Sequence, residues 1–207
     1  TTTADLVTAA SLDITGTSDL GADVTTSGSQ TYNGSITLNK DVILTGTSIT
    51  ANAVTGAHNL SVNGDADLNG AIAVNDLSVS GNADFASTVD ANAVSITGNS
   101  IINDLLRADS LNISGTSVVA ADITTLVAQT YSGTVTLTND VMLTGTSVTA
   151  NAVTGAHNLS ITGAADLNGA VSVNDLSVSG DADFASTVDA NAISVGGNSV
   201  IGDTVTA

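Results

Sequence analysis

The chain is built on a short pattern in which apolar and polar residues alternate and a glycine follows. The pattern apolar-x-apolar-x-Gly recurs, for example as LSVNG at 60–64, LSVSG at 77–81 and VSITG at 94–98. Residues that alternate along a strand point to opposite faces, so the apolar residues of each pattern share one face. Between two successive patterns lie two further pairs of apolar residues, each pair with one residue between its members. Each segment of about 17 residues is therefore predicted to form three short strands.

Three consecutive segments show which side chains the pattern directs inward. One such segment cannot bury its apolar face alone, but stacked segments can, if each strand pairs in parallel with the strands above and below it. This arrangement is an all-β, parallel β-solenoid (β-helix) with three short strands in each coil. The predicted inward-facing residues are Leu60, Val62, Ala66, Leu68, Ile72, Val74, Leu77, Val79, Ala83, Phe85, Val89, Ala91, Val94, Ile96, Ser100, Ile102, Leu106 and Ala108.

A longer repeat of 99 residues contains these segments. Residues 1–99 and 100–198 are identical at 67 of the 99 aligned positions, and residues 199–207 begin a third copy. Such self-similarity is typical of repeat arrays. We predict two solenoid repeats, 1–99 and 100–198, that continue into 199–207 as one rod. The spacing of the glycines predicts six coils per repeat, if the interval from Gly16 to Gly46 holds one full coil and one shortened coil.

Glycine and asparagine recur at positions that the pattern places between strands. Glycine allows a sharp corner because it has no Cβ. Asparagines one coil apart predict a stacked amide ladder, and the alternative is that each is an ordinary turn residue. The predicted corner glycines are Gly16, Gly46, Gly64, Gly81, Gly98, Gly115, Gly145, Gly163, Gly180 and Gly197, and the ladder candidates are Asn75, Asn92, Asn174 and Asn191.

The composition supports strands and argues against several kinds of partner. The good surface helix formers are scarce, since Glu is absent and Lys40 and Arg107 are the only Lys and Arg residues. All 20 acidic residues are Asp, and the formal net charge is −18. Binding to nucleic acid or to an anionic membrane surface depends on Lys and Arg. We therefore expect neither a nucleic-acid partner nor membrane insertion.

Paired aspartates are the candidate metal ligands. Asp67 and Asp84 lie one coil apart, and Asp166 and Asp183 repeat the pair in the second copy. Stacked carboxylates repel each other, and Ca²⁺, which prefers oxygen ligands, would relieve that repulsion. The alternative is that these side chains point into water and keep the protein soluble. Calcium is thus the one cofactor that the sequence suggests, and no other is expected.

No arrangement for catalysis is visible in the sequence. His58 and His157 occupy equivalent positions, and a single His in each repeat without Cys nearby is a poor metal site. We interpret both as structural turn residues. An enzymatic site is normally a local cluster that occurs once, whereas here each candidate residue recurs in both repeats. The chain is predicted not to be an enzyme.

Several segments resemble a known class of surface protein. They include QTYNGSITL at 30–38, QTYSGTVTL at 129–137, VTGAHNLSV at 54–62 and VTGAHNLSI at 153–161. With these segments most of the chain resembles the repeat arrays of giant bacterial surface adhesins, the filamentous-haemagglutinin-like and related β-strand-repeat proteins. The resemblance implies a right-handed β-helix, secretion to the cell surface or medium, and a role in attachment or in a biofilm matrix.

These observations lead to two expectations for function. The first is a structural extracellular protein, an adhesive stalk, spacer or filament subunit that associates end to end with itself and contacts cell-surface or matrix components. The alternative is the shaft of a trimeric phage tail fibre, in which three chains bury the apolar faces together. Three alternating pairs per coil favour the first, because one chain can then enclose its own core.

Overall fold

The computed structural model describes residues 2–3 and 5–207, and these residues form short β-strands joined by turns, without a helix among them. The predicted fold class is confirmed: the chain is a parallel β-solenoid of about 12 turns, with strands stacked about 17 residues apart. Two compact units, Thr1–Ile101 and Ile102–Ala207, divide the chain close to the boundary between the two 99-residue repeats.

The strands are two to ten residues long. Up to the division between the units they are β1 (Thr2–Thr3), β2 (Val7–Ala9), β3 (Leu12–Ile14), β4 (Ser18–Leu20), β5 (Val24–Thr26), β6 (Gln30–Tyr32), β7 (Ile36–Leu38), β8 (Val42–Ala51), β9 (Val54–Thr55), β10 (Leu60–Leu68), β11 (Ile72–Ala73), β12 (Asp76–Val79), β13 (Ala83–Phe85), β14 (Val89–Ile96) and β15 (Ser100–Ile102). The others are β16 (Leu106–Ile113), β17 (Ser117–Val119), β18 (Ile123–Thr125), β19 (Ala128–Tyr131), β20 (Val135–Leu137), β21 (Val141–Ala150), β22 (Val153–Thr154), β23 (Leu159–Leu167), β24 (Val171–Ser172), β25 (Asp175–Val178), β26 (Ala182–Phe184), β27 (Val188–Asp189), β28 (Ala192–Val195), β29 (Ser199–Ile201) and β30 (Val205–Thr206).

In the first unit the strands stack as three parallel columns. The first column contains β1, β4, β7, β9, β11 and the start of β14. The second contains β2, β5, β12, the end of β14 and the first halves of β8 and β10. The third contains β3, β6, β13 and the second halves of β8 and β10. Strands β8 and β10 each bend around a corner and so contribute to two columns.

The second unit also stacks as three parallel columns, which are numbered here by the equivalent residues of the second repeat. The equivalents of the first column are β17, β20, β22, β24, β27 and β30. The second column contains β18, β25, β28 and the first halves of β16, β21 and β23. The third contains β19, β26, β29 and the second halves of β16, β21 and β23. Parallel pairing of equivalent residues thus recurs in both units.

The core consists of the side chains that alternation directs inward. The predicted inward-facing residues are buried, from Phe85 at 0% exposure to Val74 at 8%. Burial of such side chains removes about 25 cal/mol of unfavourable hydration per Å² of apolar surface, and this drives the stacking of turns. The period-two pattern therefore predicted the core correctly over these turns.

The predicted shortened coil between Gly16 and Gly46 is wrong. Strand pairing joins Thr2 to Asp19 in a turn of the usual length, and it joins Val24 to Leu44 in a turn that is longer than usual. The interval was misdivided because its two glycines lie at different corners. Gly16 lies opposite Gly34 in the next turn, whereas the carbonyl oxygen of Gly28 accepts a hydrogen bond from the residue after Gly46.

Candidate functional site

The asparagine candidates form a hydrogen-bonded ladder at one corner of each unit. In the first unit the Nδ2 of Asn92 donates to the Oδ1 of Asn75 at 2.5 Å, and the Nδ2 of Asn75 donates to the Oδ1 of Asn59 at 2.6 Å. Asn75 thus donates to one neighbour and accepts from the other, so the ladder links three consecutive turns. Sequence reasoning missed Asn59, because it belongs to the GAHNLS segment rather than to the segments that carry Asn75 and Asn92.

The second unit repeats this ladder at the equivalent residues. Asn191 donates to Asn174 at 2.6 Å, and Asn174 donates to Asn158 at 2.8 Å. Here Asn158 also donates from its Nδ2 to the Oδ2 of Asp140 at 3.2 Å, which adds a carboxylate to the end of the ladder. The structure thus brings Asn174 and Asn191 together as it does Asn75 and Asn92.

A second series of Asp and Asn side chains ties each turn to the backbone of the next. The Oδ1 of Asp65 accepts a hydrogen bond from the backbone N–H of Asn82 at 2.8 Å, and the Oδ1 of Asn82 accepts one from Asn99 at 2.9 Å. Asp181 accepts in the same way from Asn198 at 2.7 Å. A short side chain reaches the adjacent turn with few rotatable bonds to order, so Asp loses less conformational entropy here than Glu would. This role offers a physical reason for a chain whose acids are all Asp.

The four calcium candidates stand in register on the third column of each unit. Asp67 pairs with Asp84, and Asp166 pairs with Asp183. Burial raises the pKa of Asp84, and the neighbouring charge of Asp67 raises it further. Both effects disfavour a second negative charge at this position.

Among the described residues, no third His, Cys, Asp or Glu side chain joins either pair. The residue stacked on the other side of Asp67 is Thr50, and the one stacked on the other side of Asp183 is Val200. Over residues 2–3 and 5–207 no group of three or more His, Cys, Asp or Glu side chains converges on one point. The arrangement is therefore a pair of adjacent carboxylates, and calcium binding stays a prediction.

Most of the predicted corner glycines lie where two turns approach closely. At Gly64 and Gly163 a Cβ would overlap the carbonyl oxygen of Gly46 or Gly145, and the φ angles of 147° and 129° disfavour any other residue as well. A Cβ would also meet atoms of the preceding turn at Gly46, Gly81, Gly98, Gly145, Gly180 and Gly197.

Gly16 and Gly115 differ from the other predicted corner glycines. A Cβ at Gly16 would meet no atom within 4 Å. The close approach at this corner falls instead on Gly34, whose Cβ would overlap the carbonyl group of Gly16, and on Gly133, which faces Gly115 in the same way. Gly16 and Gly115 therefore lie at a corner between the third and the first column of their unit, whereas Gly46 and Gly145 lie at the corner between the second and the third column.

A buried polar cluster was missed from the sequence. The side chain of Gln30 is 0% exposed, and its Nε2 donates to the carbonyl oxygens of Val24 at 3.1 Å and Thr45 at 2.8 Å. The hydroxyl of Tyr32 donates to the Oε1 of Gln30 at 2.8 Å. This cluster lies beside the long turn from Val24 to Leu44, where it satisfies carbonyl groups inside the core.

The same cluster recurs in the second unit with Gln129 and Tyr131. Gln129 donates to Ile123 at 3.2 Å and to Thr144 at 2.8 Å, and it accepts from Tyr131 at 2.9 Å. Burial raises the pKa of Tyr32 and of Tyr131 well above the usual value. The signal that could have revealed both clusters is the Gln-Thr-Tyr segment, since alternation places its first and third side chains on the inward face.

The two histidines pair with carboxylates of the preceding turn. The Nδ1 of His58 lies 3.7 Å from the Oδ1 of Asp41, and that of His157 lies 3.8 Å from the Oδ1 of Asp140. The backbone of each histidine also takes part in the stacking, because the carbonyl of His58 accepts from the N–H of Asn75 at 2.9 Å. These contacts are the ones expected of structural turn residues.

Comparison with known proteins found no matching family model, no matching curated protein and no matching solved structure. In the part of the chain that the structure describes, no helix is long and apolar enough to cross a membrane.

Proposed function

We propose that the chain is a structural extracellular protein, an adhesive stalk, spacer or filament subunit in which turns stack end to end. The observation that carries this proposal is that each unit encloses its own core while side-chain ladders bind turn to turn. Leu60, Leu77 and Val94, which follow one another in the second column, are each 1–2% exposed. A chain that buries its own apolar face has no need of two partner chains to do so.

The hydrogen bonding of the turns supports a mechanical role. Backbone bonds such as Gly98 N–H to Gly81 carbonyl, at 3.0 Å, run from turn to turn in parallel with the asparagine ladder. Each turn contacts only its neighbours, and such repeat architectures lengthen by adding turns without redesign of the core. The extracellular location is supported by the resemblance of segments such as 30–38 and 54–62 to adhesin repeat arrays.

The proposed end-to-end association is supported by the exposure of apolar side chains in the outermost described turns. In the third column of the second unit, Phe184 is 1% exposed, whereas Ile201, stacked on it, is 56% exposed. In the third column of the first unit, Leu12 is half-buried and Gln30, stacked on it, is 0% exposed. Unpaired strand edges with uncovered apolar side chains are templates for pairing. We propose that such edges accept further turns, from the same polypeptide or from a second copy.

The test is the molar mass in solution by light scattering after size exclusion, at two concentrations. A mass of 20.2 kDa that grows with concentration is the expected result for a self-enclosed subunit that associates end to end. Replacement Ile201→Lys should suppress the growth. Its matched control is Val200→Lys, on the same strand, because Val200 is outward-facing and already 62% exposed.

Two outcomes would contradict the proposal. A fixed trimer at both concentrations would favour the tail-fibre shaft, in which three chains share one core. Equal suppression by Ile201→Lys and Val200→Lys would show that association does not depend on covering the apolar side chain of Ile201. Circular dichroism of both variants, with an unchanged β spectrum, verifies that each still folds.

A further inference from the structure

The hydrogen bonds that Asp and Asn side chains accept from the backbone of another turn share one direction. Asp41 accepts from the N–H of Asn59 at 2.9 Å, and Asp65 accepts from that of Asn82 at 2.8 Å, so the acceptor lies in the earlier turn and the donor in the later one. The acceptors with this direction are Asp23, Asp41, Asn59, Asp65, Asn82, Asp122, Asp140 and Asp181. These turns therefore offer side-chain acceptors to the turn that follows.

The asparagine ladders run in the same direction. Asn92 donates to Asn75 in the earlier turn, and Asn191 donates to Asn174. Some bonds of other residue types run the opposite way, and they join inner turns of the two units. Their side chains belong to Thr26, Gln30, Ser80, Thr125, Gln129 and Ser179.

The last described turn of the second unit, residues 191–207, has one uncovered side, which we call the late edge. Asn198 in this turn donates its backbone N–H to Asp181 at 2.7 Å. Asn82 makes the same bond to Asp65, and its Oδ1 also accepts from the N–H of Asn99 in the following turn. By this equivalence the Oδ1 of Asn198 is an acceptor for a turn stacked on the late edge.

The ladder places a second acceptor at the late edge. Asn191 donates to Asn174 at 2.6 Å, as Asn75 donates to Asn59. The Oδ1 of Asn75 also accepts from Asn92 in the following turn. The Oδ1 of Asn191 is the corresponding acceptor in the last described turn, so the late edge offers two amide oxygens.

The first unit has the opposite arrangement at residues 5–18, whose uncovered side we call the early edge. The Oδ1 of Asp13 accepts from the Nδ2 of Asn33 at 3.0 Å, and the carbonyl of Ala10 accepts from the N–H of Gly28 at 2.8 Å. These acceptors face the following turn and not the early edge. In the inner turns the side that faces an earlier turn supplies the donors for the Asp and Asn acceptors, so the early edge is complementary to the late edge.

Strand direction favours the same combination of edges. Strand pairs within both units are parallel, from Val7 on Val24 to Val188 on Val205. Stacking an early edge on a late edge continues this parallel pairing. Two like edges related by a two-fold axis would pair antiparallel strands, which have a different hydrogen-bond pattern.

Apolar side chains at both edges provide contact area. Alternation directs Ile201 and Val7 inward, yet Ile201 is exposed at the late edge and Val7 is half-buried at the early edge. Covering apolar surface stabilises an interface. Apolar contact alone would not distinguish unlike edges from like edges, whereas the hydrogen bonds and the strand direction do.

We propose that copies of this chain associate with a single polarity, in which the late edge of one copy binds the early edge of the next and like edges do not pair. The partner is a second copy of this chain, and the proposal rests on the end-to-end association proposed above. An interface between unlike surfaces does not close into a two-fold dimer. The assembly therefore grows as a filament whose two ends differ.

The test uses two variants, each with one edge blocked. Ile201→Lys blocks the late edge and Val7→Lys blocks the early edge, because an inward-pointing charge on an edge strand opposes further pairing. Each variant alone should remain at 20.2 kDa in light scattering after size exclusion. A 1:1 mixture should form a complex of twice that mass and nothing larger, since both outer edges of that complex are blocked.

The matched controls are Val200→Lys and Thr8→Lys, whose side chains are exposed on the same two strands. Each control should grow with concentration as the unmodified chain does, and circular dichroism verifies that all four variants fold. Dimerisation of either blocked variant alone would overturn the proposal, because a like edge would then pair with itself. A 1:1 mixture that stays monomeric while the unmodified chain grows would also overturn it. If the unmodified chain does not grow, end-to-end association itself fails, and the polarity fails with it.

A second measurement needs no blocked edge. Gold particles bound to an amino-terminal tag should be evenly spaced along filaments in negative-stain images, with one particle per copy. Particles in close pairs would show that like edges meet and would overturn the proposal.

Discussion

Two amide side chains in the first unit, Gln30 and Asn75, make similar hydrogen bonds in opposite surroundings. Gln30 lies inside the core at 0% exposure and binds two carbonyl oxygens and a tyrosine hydroxyl. Asn75 lies at a corner, where water reaches it, and binds two other asparagines. A buried partner that loses its bond remains unsatisfied, whereas a partner near the surface can bind water instead. The burial of the hydrogen-bond partners, more than the number of bonds, therefore sets how much unfolding free energy is lost when an amide side chain is removed.

The largest effect is expected from Gln30→Leu. It removes the Nε2 donor from the carbonyl oxygens of Val24 and Thr45 and the Oε1 acceptor from the hydroxyl of Tyr32, all inside the core, so we expect a cost of about 3 kcal/mol. Urea unfolding followed by circular dichroism measures the change. The control is Thr31→Val, on the same strand with its side chain outside the core. A loss below about 1 kcal/mol would show that burial is not decisive here.

The next effect is a loss of stability at high pH from the buried tyrosines. Burial raises the pKa of Tyr32 and Tyr131 above the unfolded value of about 10. A group whose pKa is raised on folding stabilises the fold fully below the unfolded value, and that contribution is lost as pH rises above it. We expect unfolding free energy to fall by about 1.4 kcal/mol per tyrosine for each pH unit above about 10.

Denaturation at several alkaline pH values, compared with the double replacement Tyr32→Phe and Tyr131→Phe, measures this dependence. The double variant should be less stable at neutral pH, because Gln30 and Gln129 lose a donor. It should also show a flatter pH dependence. If unfolding free energy fell equally with pH in the two proteins, the loss of stability at high pH would not come from these tyrosines.

A smaller effect is expected at the corner. Asn75→Ala removes one donor and one acceptor from the ladder, and water replaces them, so we expect a loss of about 0.5–1 kcal/mol. Ser78→Ala is the control, since Ser78 is exposed on the adjoining strand. If Asn75→Ala costs as much as Gln30→Leu, the contrast between core and corner fails and the ladder is a cooperative unit.

The smallest effect is expected where a polar group is buried without a partner. The hydroxyl oxygen of Ser18 is buried and makes no hydrogen bond to the described part of the chain. Ser18→Ala removes this group, so we expect no loss and a gain of up to about 1 kcal/mol. Thermal unfolding of Ser18→Ala and of its equivalent Ser117→Ala measures the change. A clear destabilisation would show that the hydroxyl has a partner, such as an internal water.

The sequence predicted the solenoid because alternation and a regular spacing along the chain report directly on which side chains face inward. The same rule failed between Gly16 and Gly46, because Thr26 and Gln30 are polar residues that point into the core. An apolar pattern cannot reveal a buried polar residue whose partners are backbone carbonyls, since those partners carry no sequence signal. The long turn from Val24 to Leu44 was missed for the same reason.

For the candidate sites too, the sequence predicted some features and missed others. Stacking of Asp67 on Asp84 and of Asn75 on Asn92 followed from a constant spacing along the chain. The surroundings of each pair did not follow, because Thr50 and Asn59 belong to segments whose sequence differs from those that carry the pairs.

The turn-to-turn direction of the hydrogen bonds has a consequence for the response of either unit to force. A pull that separates the outermost turn from its neighbour loads the bonds between those two turns, while the bonds between inner turns, such as Asn92 N–H to the carbonyl of Asn75, remain unstrained. The unit should then unravel one turn at a time. Each event releases about 60 Å of extended chain, since a turn holds about 17 residues. Under load the protein would lengthen in small, regular steps and so dissipate the energy of a sudden force gradually.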